Sequence, residues 1–84
     1  MKFVIGAKKL GKNTLNVNFK YDNELTEVHV GVFHYSDAEE KWNPVGAWKM
    51  LFILCNLVGL TEQQLLRRLY KEKHITFNLT AEEV

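Results

Sequence analysis

Strict alternation over Thr14–Tyr21, with a second alternating stretch over Thr26–Tyr35, restricts what this chain can fold into more than any other feature. Leu15, Val17, Phe19 and Tyr21 interleave with Thr14, Asn16, Asn18 and Lys20, and Val28, Val30 and Val32 interleave with Glu27, His29 and Gly31. Successive side chains of a strand point to opposite sides, so a period of two marks half-buried strands. The intervening Asp22-Asn23-Glu24-Leu25 has the composition of a turn. Closing that turn predicts an antiparallel pair with Phe19 opposite Val28, Val17 opposite Val30 and Leu15 opposite Val32, and with Lys20 facing Glu27 as a cross-strand charge pair. A slip of one residue would send the two apolar sets to opposite faces, so the register is strongly specified.

A first strand is expected over residues 2–8, turning at Leu10-Gly11-Lys12-Asn13. A three-residue loop sets Phe3 beside Phe19, Ile5 beside Val17 and Ala7 beside Leu15, all on the inner face. The outer face then reads Val4–Asn18–His29, Gly6–Asn16–Gly31 and Lys8–Thr14–Phe33, polar and small, with Phe33 and Tyr35 at one end. His29 faces out in this register and His34 faces in.

After the meander, Asn43-Pro44 reads as a helix start, with Asn as N-cap and Pro at the first helical position. A first helix over about 44–58 ends at Gly59, and a second over about 62–73 opens on a capping box in which Thr61 pairs with Gln64. Ile75-Thr76-Phe77-Asn78-Leu79 alternates and predicts a short last strand, and residues 80–84 are expected to fray. The expected fold is therefore α+β: a three-stranded antiparallel meander, an αα-hairpin packed on its inner face, and a C-terminal strand. The core is expected at Phe3, Ile5, Val17, Phe19, Val28, Val30, Leu51, Leu54, Val58, Leu65 and Leu69.

The first helix is apolar almost all round, with Lys49 and Asn56 as its clearly polar residues. A surface helix buries a stripe of little more than 100°. One sheet and one neighbouring helix leave part of it to be covered by something else, and the run is too short for a membrane span. Its candidate partner or self-association interface is Trp48, Leu51, Phe52 and Cys55.

With 84 residues there is room for one domain spanning 1–84, and a composition of 46% hydrophobic and 25% charged residues argues against disorder. A net charge of +1 excludes a strongly basic nucleic-acid tail. It conceals segregation: Lys2, Lys8, Lys9, Lys12 and Lys20 precede Asp22, Glu24, Glu27, Asp37, Glu39 and Glu40. The meander should return the acidic loop after the third strand to the lysines of the first turn. A lone Cys55 and an opening apolar run too short for a secretory signal point to a reducing, cytoplasmic setting.

No catalytic set, cofactor motif or metal-ligand spacing is legible. His29, His34, His74 and Cys55 do not converge in the derived register, nothing near Cys55 would lower its pKa, and Asp37, Glu39 and Glu40 read as a solvated loop. Asn78-Leu79-Thr80 matches a glycosylation sequon without a secretion signal. The segment Cys55–Leu65 has the spacing of a helix-turn-helix, but Arg67 and Arg68 come late for a DNA-reading helix. A second candidate face, for nucleic acid or a partner, combines Lys8, Asn16, Asn18, Lys20, His29, Phe33 and Tyr35 on the outer sheet with Arg67 and Lys71 from a basic helix stripe that continues to His74.

These features lead to a small non-catalytic interaction module that binds and regulates or inhibits a macromolecular partner, in the manner of virus- or mobile-element-encoded accessory proteins. A protein partner or a second copy would sit on the first helix, with no membrane and no small-molecule substrate. The alternative is a single-stranded RNA- or DNA-binding protein using the outer sheet face and the basic stripe.

Overall fold

The computed structural model describes residues 2–21 and 23–78. Its elements run β1 (Lys2–Gly11), β2 (Thr14–Tyr21), β3 (Val28–Ser36), β4 (Lys41–Pro44), α1 (Lys49–Val58), α2 (Glu62–Glu72) and β5 (His74–Asn78). The strands form one antiparallel sheet in the order β4-β3-β2-β1-β5, with both helices against one side. The fold is α+β, with the expected meander, helix pair and last strand. Leu79, the sequon beyond Asn78 and residues 80–84 lie outside the described residues.

The first hairpin differs from expectation by two residues. β1 continues to Gly11, Leu10 bulges out, and Lys12-Asn13 make the turn, so Phe3 pairs with Tyr21, Ile5 with Phe19 and Ala7 with Val17. A shift of two preserves parity, and Phe3, Ile5, Leu15 and Val17 all remain inside.

The second hairpin carries a change of phase. Phe19 pairs with Val28 as expected, but Val17 pairs with Gly31 and Leu15 with Phe33, leaving Val30 as an extra residue on β3. A β-bulge places two residues of one strand against one of its partner and reverses inside and outside beyond it. The larger ring of Phe33 therefore enters the core in place of Val32, and His34 turns outward to Thr14, with Nδ1 at 3.1 Å from Oγ1. Val28, expected in the core, is exposed, and its partner Phe19 is only partly buried. Glu27 precedes the strand, and no ion pair joins it to Lys20 among the described residues.

Asn43-Pro44 ends a strand rather than starting a helix. Trp42 is buried and pairs with Tyr35 across β3, and Val45 N–H donates to the Val32 carbonyl at 2.8 Å. That bond fixes the alternation, so the backbone polar groups of Trp42 and Pro44 point away from β3, where the missing proline N–H breaks no ladder bond. The Asn43 amide donates to Glu39 Oε1 at 2.7 Å and caps nothing. Gly46, at φ 106, turns the chain, and α1 starts only at Lys49.

Gln63 completes the edge of β4. Its amide accepts from Trp42 N–H at 2.8 Å and donates to the Trp42 carbonyl at 3.0 Å, doing for one residue what a further strand would do. The capping box of α2 forms as expected, with Gln64 N–H donating to Thr61 Oγ1 at 3.1 Å and Thr61 N–H to Gln64 Oε1 at 2.9 Å. β5 then folds back beside β1, pairing Ile75 with Ile5 and stacking Phe77 on Phe3 at 5.6 Å. The core joins Phe3, Ile5, Leu15, Val17, Val30 and Phe33 of the sheet to Leu51, Leu54, Leu65, Leu66 and Leu69 of the helices. Val58 packs at its margin.

Candidate interaction surfaces

Three surfaces gather the residues that carry chemistry or surplus apolar area. The first is the outer side of α1. Because the helix is apolar all round, sequence alone does not say which stripe meets the sheet. In the structure Leu51, Leu54, Cys55 and Val58 turn inward, so Leu51 and Cys55 belong to the chain's own core and are not interface residues. Burial pushes the Cys55 thiol up to about 11, with the Glu62 carboxylate adding to the shift, which keeps it protonated at neutral pH.

Trp48 and Phe52 do face solvent, at 45% and 46% exposure, their rings edge to face at 6.4 Å. Ile53 and Leu57, each 53% exposed, extend the patch along the helix, and Val45 adjoins it in sequence. Lys49 and Asn56 run between the two apolar rows, at helical spacing from Phe52 and Ile53. Trp48 and Phe52 stand among the interface residues expected from the sequence, whereas Ile53 and Leu57 do not, because an all-round apolar helix gives no contrast between its sides.

The second surface is a trough of about 270 Å³ on the outer sheet face, with Gly6 on its floor and Lys8, Asn18 and Lys20 along its walls. Lys73 and His74 enter from the α2–β5 junction, and Glu27 closes one side. Asn16 and His29 lie close by on the same face, hydrogen-bonded to each other at 2.7 Å. Phe33 and Tyr35 are both absent from this face: the bulge sends the Phe33 ring into the core and packs Tyr35 at the core's margin, so the outer sheet lacks the two stacking rings expected of it.

The third surface is a cleft of about 300 Å³ between the end of β3, β4 and α2. It unites Tyr35, Arg67 and Lys71, which are far apart in sequence, with Trp42 and Tyr70. Trp42 lies between the two tyrosines, 5.4 Å from Tyr35 and 5.7 Å from Tyr70. Asn13 of the first turn and Asp37 of the acidic loop line the same cleft, so the loop does return to that turn. The Lys9 ammonium lies 4.0 Å above the Tyr70 ring. Trp42 and Tyr70 were missed as site residues because β4 is too short to show a period and Tyr70 reads as part of the apolar stripe of α2.

The N-terminus of α2, which a helix-turn-helix would offer to DNA, is engaged within the chain: Gln63 holds Trp42 and Gln64 closes the capping box. Among the described residues no three His, Cys, Asp or Glu side chains converge as a metal set, and no helix is long and apolar enough to cross a membrane. No family model, curated protein or solved structure matches this chain.

Proposed function

We propose that the protein is a small, non-catalytic interaction module that binds a protein partner through the outer side of α1 and thereby regulates or inhibits it. The observation that carries this reading is the exposure of Trp48, Phe52, Ile53 and Leu57 on an element whose other side already fills the core. Contiguous exposed apolar surface of this kind marks interaction sites, and tryptophan is among the residues enriched at their hot spots. A partner suits the patch better than a second copy. Ten helical residues span only ~15 Å, and two such helices crossing would bury less than the roughly 800 Å² per side of a stable interface. A groove on a larger protein could enclose both apolar rows and the Val45–Trp48 approach, and would supply acceptors for Lys49 and Asn56.

Affinity purification of the tagged chain from its own host cell tests this. Wild type should retain one protein in stoichiometric amount, and Phe52→Ser, folded by circular dichroism, should lose it. Retention of the same protein by Phe52→Ser, or its release by nuclease, would sink the reading.

A further inference from the structure

The cleft between β3, β4 and α2 has no part in the function proposed above, and its lining combines three kinds of group. The first is aromatic surface: Tyr35 and Tyr70 are half-buried on either side of the buried Trp42. The second is positive charge: Arg67 and Lys71, one turn apart on α2, are exposed and make no ion pair among the described residues. The third is a pair of hydrogen-bonding side chains, Asn13 and Asp37.

Charge decides what kind of ligand fits. Arg67, Lys71 and the nearby Lys9 outweigh Asp37, so the cleft attracts anions and repels a cationic ligand. Lys9 already lies against Tyr70, and the rings pack on one another rather than around an empty centre, so this is not a cage for a quaternary ammonium. A simple anion would use the cations and leave the rings and Asp37 without a role. A nucleotide uses all three: its base lies on tyrosine, its phosphate meets Arg67 and Lys71, and an exocyclic amine donates to Asp37. The volume of about 300 Å³ is at the small end of ligand sites and suits one such unit.

We propose that this cleft binds a single nucleotide, either free or at an exposed position of a single strand, with Tyr35 as the stacking surface, Arg67 and Lys71 on the phosphate, and Asp37 selecting bases that carry an exocyclic amine.

The test uses Trp48→Phe protein, which leaves Trp42 as its one tryptophan. Its fluorescence is followed during titration with guanosine, cytidine and uridine monophosphates, a cytidine octanucleotide RNA, and inorganic phosphate. Guanosine and cytidine monophosphates should quench saturably and bind several-fold tighter than uridine monophosphate, a difference that Asp37→Ala removes. Arg67→Gln with Lys71→Gln should weaken binding at least about tenfold, one power of ten in Kd for the loss of charge-assisted phosphate contacts. Both positions are exposed, so circular dichroism should be unchanged. An octanucleotide binding more than about tenfold tighter than the mononucleotide identifies a single strand as the source, and equal affinity identifies the free nucleotide. Absence of saturable quenching at millimolar nucleotide, competition by inorganic phosphate at equal concentration, or full binding by the Arg67→Gln/Lys71→Gln protein overturns the proposal.

Discussion

Gly31 carries no side chain because there is no room for one. A Cβ built there would lie 2.9 Å from the Ala47 carbonyl oxygen and 3.2 Å from the Phe33 ring. Both neighbours are held, one by the loop that leads into α1 and the other by the core. Gly31→Ala should therefore destabilise the fold by ~1–3 kcal/mol, the usual penalty for forcing a methyl into packed surroundings. At ~4–8 °C per kcal/mol for a domain of this size, thermal denaturation would show it plainly, and an unchanged melting temperature would mean that the Ala47 segment does not press on β3. The same bulge exchanges the roles of two phenylalanines. Read as unbroken alternation, the sequence makes Phe19 central and Phe33 a surface ring, whereas Phe33 is fully buried and Phe19 only partly so. Phe33→Ala should cost ~3–5 kcal/mol, the range for removing a buried aromatic ring, and Phe19→Ala clearly less. Paired melting curves check the order, and a larger loss for Phe19→Ala would refute the bulged register.

At the scale of elements, the edge strand β4 depends on a side chain of α2. Trp42 directs its N–H and carbonyl away from the sheet, and the Gln63 amide answers both. Gln63→Ala would leave two backbone groups of a buried residue without partners, at ~1–3 kcal/mol for each group that water cannot reach. Amide exchange at Trp42 should accelerate by at least about tenfold, the factor that corresponds to 1.4 kcal/mol, while amides in the β1–β2 ladder slow or quicken only with global stability. Equal acceleration everywhere would argue that the glutamine supports the whole fold rather than the edge. These two elements also mark where sequence reading stops. The meander, the capping box and the last strand rest on local periods and local caps, and each forms from the residues that predict it, although the two hairpin registers of the meander are shifted. β4 has four residues ending in Asn43-Pro44, too short for a period and locally identical to a helix start; burial of Trp42 against Tyr35 and Gln63 overrides that signal. The bulge left a trace in the two phases of the third strand, Val28, Val30 and Val32 followed by Phe33 and Tyr35, with Gly31 just before they meet. The aromatic cleft is legible only in part: Tyr35, Arg67 and Lys71 stand among the expected binding residues, but Trp42 and Tyr70 do not, since the walls come from β3, β4 and α2 and only the sheet order brings them together.

For the whole molecule, what matters is that the apolar face of α1 and the charged surfaces are built from different elements and respond to solvent in opposite ways. The cleft and the trough present lysine and arginine, whose attraction for any phosphate falls as salt rises. The α1 face relies on apolar burial, roughly 1.5–3 kcal/mol for a large side chain moved fully out of water, and salt does not screen that. With a net charge of +1, long-range attraction adds little to either. The chain alone must leave Trp48, Phe52, Ile53 and Leu57 in water, so at high concentration it should form weak, reversible assemblies that sodium chloride does not disperse and sulfate strengthens. Phe52→Ser with Leu57→Ser should abolish them. Both positions are about half exposed and lie outside the core, so the double variant should melt within a few degrees of wild type, surface substitutions away from packed sites usually costing less than about 0.5 kcal/mol each. Light scattering over a concentration series, at low and high chloride and in sulfate, measures the first effect, and calorimetry the second. Assemblies that dissolve as chloride rises would assign self-association to the charged surfaces. A steep fall in melting temperature for the double variant would mean that Phe52 and Leu57 pack inside the molecule, and the case for a partner on α1 would go with it.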